Sequence, residues 1–521
     1  MKSSIALLSN ITIDPLKSTL QQVGFGEVYV AGFNQWQHEL LNPASEVMSR
    51  PYDYLVLYLH PDELAQGFEL IDITQAIDYF LQQQPKGSVL LCELAGRPLY
   101  STTYAGDEQA KQYELNRSLY TYANTQPRVS ILPLSRLVSL HGYTTLFDDK
   151  YWYLGRMKFS HPAYEFLANE ILYFTRAIEG KTSKVLVLDL DNTLWGGVLG
   201  EEGWQHIALS NEGKGLIFKE FQQQLVALKK TGVLLSLCSK NNEAEVREAF
   251  EKHPDSVLKW NDFVAPRVNW LPKDENLLSI SRELSLGLNS LVFIDDSALE
   301  RELVRISLPE VQVPEFPTDI TRLNQWFAGK VVYPCFARIR FTNEDADKTQ
   351  QYLRNKEREE VRSQFSYDDF IQQLKIEAIL KEATTDTLSR IAQLTQKTNQ
   401  FNLSLKRYTE GEIAAMYADN KWKLYICSYR DKFGDEGIVG AVLVSFEKNT
   451  AHIDNFLLSC RSLGRKVEFT ILHQLLVALK ESGTQRITAS YYPGEKNIPA
   501  RSFYSDSGFK ALSENEFEKQ L

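Results

Sequence analysis

Cysteine is scarce in this chain of 521 residues, and the few cysteines lack the number and spacing expected for a disulfide framework or a zinc site. There are five, an odd number that cannot all pair in disulfides, and none has the close spacing of a zinc site. They are Cys92, Cys238, Cys335, Cys427 and Cys460. We therefore expect reduced thiols, as in a cytoplasmic protein.

Long hydrophobic runs are absent as well. No apolar stretch reaches the roughly 18 residues of a membrane span, and the opening MKSSIALLSNITIDPL has too short an apolar core for a signal peptide. The 57 basic and 67 acidic residues give a net charge of −10, which argues against nucleic acid as the main partner. We expect a protein that binds neither membrane nor nucleic acid and stays in the cytoplasm.

The length favours three or four domains, and no internal repeat divides the chain. Apolar runs at 5–8, 28–30, 54–59 and 88–92 alternate with helical patterns such as 73–84, which indicates a parallel sheet. We expect α/β domains at 1–175, 180–325 and 367–521. A connecting segment at 330–366, with a charged helix at 343–363, separates the last two.

The most informative stretch is KVLVLDLDNTLWGGVLG, from Lys184 to Gly200. Its aliphatic run predicts a buried parallel strand that leads directly into Asp189, Asp191 and Thr193. Ligands of open α/β sheets bind at this carboxyl edge, and paired carboxylates there suit a metal ion, a nucleophile and a proton carrier.

Three later segments repeat this arrangement. The run 234–239 ends in Ser239, Lys273 follows Pro272, and the run 291–294 leads into Asp295 and Asp296. In this order the four segments resemble the motifs of the haloacid-dehalogenase-like (HAD) superfamily of phosphotransferases, which begin with DxDx[TV]. The resemblance implies a Rossmann-like parallel sheet and a phosphorylated small-molecule substrate.

The resemblance also implies roles. Asp189 is the expected nucleophile, which forms an aspartyl phosphate, and Asp191 the general acid and base. Magnesium is expected on the Asp189 carboxylate, the Asp191 backbone carbonyl and one of two acids, Asp296 being favoured over Asp295. The expected phosphate-binding residues are Thr193, Ser239 and Lys273. The segments 194–233 and 240–272 each hold a helix, near 214–230 and 243–252, and leave no room for a cap domain.

The last block narrows the resemblance. KTNQFN at 397–402, DKFGD at 431–435, SCRSLGR at 459–465 and the upstream CSKNN at 238–242 are similar to FkbH-like proteins over essentially the whole chain. This implies a C-terminal GNAT-like acyltransferase domain. Where such enzymes cradle a pyrophosphate, this chain has Arg461, Gly464 and then Lys466, which weakens the expectation of acetyl-CoA. The N-terminal domain resembles the SGNH-hydrolase and flavodoxin-like folds, with Ser9 and His161 in a degenerate site used for docking.

FkbH-like enzymes take a glyceryl unit from 1,3-bisphosphoglycerate, remove phosphate and deliver the acyl group to an acyl carrier protein through an enzyme cysteine. Cys460, before the Gly464 turn, is the preferred thiol, and Cys238 is the competitor, more often a small buried side chain. Asn399, Gln400 and Asn402 line an acyl pocket or satisfy loop backbone. Two other readings stay open: a phosphatase and acyltransferase of polysaccharide or sugar-precursor biosynthesis, and a non-catalytic scaffold for a carrier protein or phosphorylated ligand.

Overall fold

The computed structural model describes residues 3–64, 68–84, 87–96, 110–340, 348–362, 365–459, 462–494 and 497–521. The chain divides into two compact units. The first contains residues 1–175 and 408–419, and the second contains 176–407 and 420–521. Among the described residues, no helix is both long and apolar enough to cross a bilayer.

The first unit is built on a five-stranded parallel sheet with the order β2-β1-β3-β4-β5, the flavodoxin-like order. Its strands are β1 (Ser4–Ser9), β2 (Glu27–Val30), β3 (Tyr54–Tyr58), β4 (Ser88–Cys92) and β5 (Val129–Leu132). Its helices are Pro15–Gln22, Trp36–Leu41, Glu46–Ser49, Leu70–Gln83, Ala110–Thr125, Leu134–His141, Tyr143–Leu146, Asp149–Gly155, His161–Ile178 and Glu410–Ala418. The predicted strands and the helix near 73–84 are therefore confirmed within a few residues.

A four-stranded parallel sheet with the order β8-β7-β6-β9 begins the second unit. Its strands are β6 (Val185–Leu188), β7 (Leu234–Ser239), β8 (Arg267–Val268) and β9 (Leu291–Ile294). Its helices are Leu199–Glu202, Gly213–Lys230, Glu243–Lys252, Lys273–Glu283, Ala298–Ser307, Leu323–Trp326 and Tyr333–Phe336. Successive β6 residues pack in different hydrophobic clusters: Leu186 and Leu188 belong to one cluster, and Val185 and Val187 belong to the other. This is expected because a parallel sheet is covered on both faces.

The helix Lys348–Arg362 leads from this sheet to the last one, and it lies within the predicted charged segment. The last sheet has the order β10-β12-β13-β14-β15-β17-β16, with β11 paired to β14. Its strands are β10 (Glu377–Glu382), β11 (Phe401–Asn402), β12 (Trp422–Asp431), β13 (Gly434–Glu447), β14 (Thr450–Leu458), β15 (Arg486–Ser490), β16 (Lys510–Ala511) and β17 (Glu516–Gln520). Its helices are Tyr367–Leu374, Leu388–Lys397, Val467–Glu481 and Phe503–Asp506.

The three sheets confirm the predicted multidomain α/β class: two parallel sheets are followed by a distinct, mostly antiparallel one. The division of the chain is less simple than the sequence predicts. Residues 408–419, which we expected in the last domain, belong to the first compact unit. The predicted boundaries near 175, 325 and 366 remain predictions.

Candidate active site

The predicted catalytic residues follow the ends of three neighbouring strands. In the sheet register, Leu188 at the end of β6 lies opposite Leu237 on β7 and Ile294 on β9. Asp189 follows β6, Ser239 ends β7, and Asp295 follows β9, so the topology brings the three to one carboxyl edge.

Lys273, the first residue of the helix Lys273–Glu283, connects two of these strand ends. Its Nζ lies 2.8 Å from Asp189 Oδ1, and it also forms an ion pair with Asp295 Oδ2. The Ser239 hydroxyl is a second hydrogen-bond partner of Asp189. All of these side chains are buried, so the opposite charges compensate one another where water cannot.

The electrostatics of the cluster are strongly perturbed. The pKa of Asp189 is raised to about 6, because burial and the nearby charge of Asp295 together outweigh the lowering effect of Lys273. Burial also raises the pKa of Asp295 and of Asp296. Burial lowers the pKa of Lys273, but the charges of Asp189 and Asp295 outweigh it, and its pKa lies above its usual range. Clustered carboxyl groups with raised pKa values in a buried site are typical of functional centres.

Three carboxylates of this cluster are close enough to share one cation. One carboxylate oxygen from each of Asp189, Asp295 and Asp296 lies within 4.8 Å of the others. Asp296 is half-buried, whereas Asp189 and Asp295 are buried. Arg301 fixes the loop after β9 by donating to the carbonyl oxygens of Asp295 and Asp296 at 2.9 and 2.8 Å. The structure therefore places both acids of the pair beside Asp189.

Asp191 is held by three donors. Its Oδ1 accepts hydrogen bonds from Trp195 Nε1 at 2.9 Å and from the Leu199 amide at 3.0 Å, and its Oδ2 accepts one from Asn241 Nδ2 at 2.9 Å. The Trp-Gly-Gly segment thus fixes the second aspartate, and Gly197, at φ +93°, has the left-handed conformation that this turn needs.

Sequence reasoning missed Asn241 and Arg301. Asn241 Nδ2 contacts both Asp191 and, at 3.3 Å, Ser239 Oγ, so one buried amide joins the first and second motifs. Its position in CSKNN, just after a strand that ends in a hydroxyl, was the available signal. Arg301 carried no such signal, because it lies on the following helix and acts through backbone carbonyls.

Two other predicted site residues are deeply buried. Thr193 is fully buried, and its Oγ1 has no hydrogen-bond partner among the described residues. Cys238 is also fully buried, its Sγ lies 3.7 Å from the Lys273 carbonyl oxygen, and burial raises the pKa of its thiol. The phosphate-binding role of Thr193 stays a prediction, and the burial of Cys238 favours its interpretation as a packing residue.

The segment that holds the preferred thiol is only partly described. Cys460 and Arg461 lie outside the described residues. Gly464 has φ +70°, and Lys466, in the left-handed region at φ +58°, precedes the helix Val467–Glu481. The turn expected before this helix is therefore present, while the role of Cys460 stays a prediction.

Within the amide cluster at 399–402, the side chain of Asn402 hydrogen-bonds loop backbone. Asn402 Oδ1 accepts from the Leu405 amide at 2.9 Å, and its Nδ2 donates to the Thr398 carbonyl at 3.4 Å. Asn497 Nδ2 donates to the Asn402 carbonyl at 3.0 Å. These contacts favour the loop-satisfying interpretation of Asn402 over an acyl pocket.

The two residues singled out in the N-terminal domain have different surroundings. Ser9 Oγ accepts from the Ile11 amide at 3.1 Å, and His161 is exposed at the start of its helix. Over the residues that the structure describes, no hydrogen bond joins them. The degenerate docking site stays a prediction.

Comparison with known proteins adds one informative match. The chain is similar to the N-terminal part of the protein BF1531 from Bacteroides fragilis, which contains a phosphatase domain and was crystallised in complex with Mg. The identity is 28%, the TM-score is 0.59, and the match covers 65% of this chain and 95% of that one.

Weaker matches cover 28% of the chain. They include the ribosomal-protein-S18-alanine N-acetyltransferase from Escherichia coli, at 12% identity over 93% of that chain and a TM-score of 0.23. An acetyltransferase of the GNAT family from Staphylococcus aureus matches at 17% identity over 99% of its chain and a TM-score of 0.22. Similarities this low carry no functional argument. No protein-family model and no curated protein matches the chain.

Proposed function

We propose that this protein is a magnesium-dependent phosphatase of the HAD superfamily. One observation carries the proposal: Asp189, Asp295 and Asp296 converge within 4.8 Å at the carboxyl edge of a parallel sheet, with Lys273 paired to two of them. The similarity to a phosphatase domain crystallised with Mg supports it. A turn of purely structural acids would leave such a buried, like-charged cluster unexplained.

The residues support in-line transfer of a phosphoryl group through an aspartyl phosphate. Asp189 would attack phosphorus, and the bond to the leaving oxygen would break as Asp191 donates a proton to that oxygen. Asp191 would then take a proton from the water that hydrolyses the intermediate, which releases phosphate and regenerates Asp189. Trp195, Leu199 and Asn241 orient Asp191 for both steps. Lys273 and Ser239 would bind phosphoryl oxygens.

The donor set fits magnesium. Three buried or half-buried carboxylates with raised pKa values form a site of hard oxygen ligands, and a divalent cation would offset their mutual repulsion. Asp189, the Asp191 carbonyl and Asp296 or Asp295 would hold it. Bound magnesium would neutralise charge on the transferred phosphoryl group.

We further propose that phosphate release serves acyl transfer, as in FkbH-like enzymes. The phosphorylated substrate would be 1,3-bisphosphoglycerate, whose C3 phosphoryl group Asp189 would take. A cysteine thiolate would attack the C1 carbonyl and displace its phosphate, and the glyceryl thioester would then exchange with the thiol of an acyl carrier protein, which frees the cysteine. The sequence similarity of the third block supports this step, with Cys460 as the proposed thiol. The domains would be an N-terminal α/β docking domain, a capless phosphatase domain, a connecting helix and an acyltransferase domain.

The phosphatase proposal is tested by Asp189→Asn. We expect phosphate release in magnesium to fall by at least about 10³-fold, because an amide oxygen is a far weaker nucleophile than a carboxylate. The matched control is Asp319→Asn, which changes one exposed aspartate on the same unit. Undiminished release in Asp189→Asn would contradict the nucleophile assignment.

The acyl-transfer proposal is tested by intact-protein mass spectrometry after incubation with 1,3-bisphosphoglycerate. A glyceryl adduct should form on the wild type and on Cys238→Ala but not on Cys460→Ala. An adduct that persists in Cys460→Ala and disappears in Cys238→Ala would show that the wrong thiol was chosen. If no cysteine adduct forms while phosphate is released, the protein is a phosphatase of another pathway.

A further inference from the structure

One ion pair at the carboxyl edge of the four-stranded sheet has no part in the steps proposed above. Lys240 Nζ lies 2.6 Å from Glu300 Oε1. Lys240 follows β7, and Glu300 lies in the first turn of the helix Ala298–Ser307, which follows β9. In the sheet, β6 lies between β7 and β9, and it leads directly into Asp189. The pair therefore links the two sides of the edge that carries the proposed nucleophile.

The backbone of Lys240 is held at this edge from both sides. The preceding residue, Ser239, hydrogen-bonds Asp189 through its hydroxyl group. The following residue, Asn241, donates from Nδ2 to Asp191 Oδ2 at 2.9 Å. The Lys240 side chain itself is 41% exposed. It thus starts beside both aspartates of the first motif and extends to the rim of the site, where a bound substrate would meet solvent.

The Lys240 ammonium group keeps donors for a further partner, in contrast to two other basic groups of this edge. Lys273 is buried between two aspartates. Arg301 is buried and donates to two backbone carbonyls. A lysine ammonium group has three N–H donors, and the hydrogen bond to Glu300 uses one of them. Lys240 can therefore bind an anionic group without leaving Glu300.

Stability does not explain this ion pair. The second carboxylate oxygen of Glu300, Oε2, is buried and has no hydrogen-bond partner among the described residues. A buried acceptor without a partner costs free energy, and an ion pair with a partly exposed member contributes little. The pair is better explained by the position that it gives to the Lys240 ammonium group.

That position matters because the surrounding charge is negative. Asp189, Asp295 and the half-buried Asp296 lie at the same edge, beside Glu300 itself. A phosphoryl group transferred to the buried Asp189 leaves the rest of the substrate directed toward the exposed rim. A neutral remainder needs no cation there, whereas an anionic one would be repelled by the carboxylates unless a cation bound it.

We infer that Lys240 determines substrate specificity by binding an anionic group on the part of the substrate that leaves the phosphoryl group. The substrate class is then a phosphate ester that carries a second negatively charged group, such as a carboxylate. For turnover this inference rests on the proposed phosphatase activity. The binding preference itself requires no turnover.

Two probes that differ only in this second charge test the inference on the full chain. Both 3-phosphoglycerate and glycerol 1-phosphate are three-carbon phosphate esters, but only the first has a carboxylate at its other end. The variants are Lys240→Met, Lys240→Arg and Glu300→Gln. The matched control is Lys252→Met, which removes another exposed lysine that pairs with a glutamate, Glu248, at 2.8 Å. Phosphate release in magnesium gives kcat and KM, and calorimetry in an Asp189→Asn background gives affinities without turnover.

We expect the wild type to prefer 3-phosphoglycerate at least about tenfold in kcat/KM and in affinity. Lys240→Met should reduce this preference to less than about twofold, mainly by raising KM for 3-phosphoglycerate, because the contact is made in both the ground and the transition state. Lys240→Arg keeps the charge and should keep most of the preference. The control should differ from the wild type by less than about twofold for both probes.

Glu300→Gln separates a specificity role from a purely structural one. Glutamine keeps an oxygen that accepts from Lys240 Nζ but removes a negative charge beside it. The preference for 3-phosphoglycerate should therefore stay the same or increase, opposite to the effect of Lys240→Met. If the ion pair were only structural, the change on either side would affect both probes alike.

The inference is overturned if neither assay shows a preference for 3-phosphoglycerate, which includes the case in which neither probe is bound or hydrolysed. It is also overturned if Lys240→Met keeps the preference or if the control loses it. A binding preference that depends on Lys240, without phosphate release by the wild type, would support the inference and contradict the phosphatase proposal. Phosphate release that Asp189→Asn abolishes, without any preference between the probes, would do the converse.

Discussion

The two parallel sheets both have polar side chains at the carboxyl ends of their strands, but the partners of these side chains differ between the sheets. In the five-stranded sheet, Asn10 Nδ2 donates to the His60 carbonyl at 3.0 Å, and its Oδ1 accepts from the His60 amide at 2.7 Å. Glu93 accepts from the Ser135 amide at 2.8 Å and from Tyr120 Oη at 2.7 Å. These partners are backbone and hydroxyl groups, which is how a sheet satisfies its own buried polar atoms.

In the four-stranded sheet the same edge collects charge. Asp189, Asp295 and Asp296 lie close together, and a single lysine forms ion pairs with the first two of them. Folding gains little from three clustered carboxyl groups, so their proximity indicates a ligand rather than stability. Similar topology thus supports opposite conclusions, and the pairing of the buried polar atoms decides between them.

The largest effect is expected when one buried lysine in each unit is replaced. Lys273→Met leaves Asp189 and Asp295 unpaired, so we expect phosphate release to fall about 10²–10³-fold. Stability without magnesium should fall by about 3–5 kcal/mol. Lys158→Met is the matched change in the first unit, since Lys158 is equally buried and pairs with Glu63 at 3.0 Å.

Urea denaturation and a phosphate-release assay on both lysine variants measure these effects. Lys158→Met should lose some stability and keep its activity. Magnesium should reduce the stability deficit of Lys273→Met relative to the wild type, whereas the deficit of Lys158→Met should stay the same with and without magnesium. If the two variants lose activity to the same extent, Lys273 has only a structural role.

The second effect is a pH dependence of stability and magnesium binding, which we expect only at the edge of the four-stranded sheet. The folded pKa of Asp189, about 6, exceeds the ordinary value of 3.8. Asp189 therefore stabilises the metal-free protein at pH values below about 4, and this contribution is lost as the pH rises through about 6. Magnesium competes with the proton, so the rise in melting temperature that it causes should be larger at pH 7.5 than at pH 5.

Thermal melts with and without magnesium, at both pH values, test this dependence. Asp189→Asn should remove most of the magnesium-induced rise at pH 7.5. A rise of the same size at both pH values would show that magnesium does not bind at these carboxylates.

The sequence predicted most of the secondary structure because the hydrophobic periodicity and the residues at the ends of the elements indicate the same helices and strands. The helix Glu243–Lys252 begins and ends where expected, with Asn242 Oδ1 accepting from the Ala244 amide at 2.9 Å. The sequence also predicted that Asp189, Ser239, Lys273 and the acid pair lie in one site, because the carboxyl ends of parallel strands meet at one edge of the sheet.

What the sequence could not supply depends on contacts between distant segments. Nothing local indicates that Lys273 pairs with Asp295, or that the helix Glu410–Ala418 belongs to the first compact unit. The short strand Phe401–Asn402 was likewise invisible, because two residues carry no periodicity and their pairing with β14 is set by the tertiary fold.

The smallest effect compares one asparagine at each sheet edge. Asn241→Ala removes a donor to Asp191 and to Ser239, so we expect kcat to fall about tenfold with little change in KM, because the proton carrier loses its orientation. Asn10→Ala removes two buried hydrogen bonds and should cost about 1–3 kcal/mol of stability without changing kcat. Steady-state kinetics and urea denaturation on both variants measure the two effects. An Asn10 variant with slow turnover, or an Asn241 variant with normal turnover, would mean that the pairing of buried polar atoms does not distinguish a catalytic edge from a structural one.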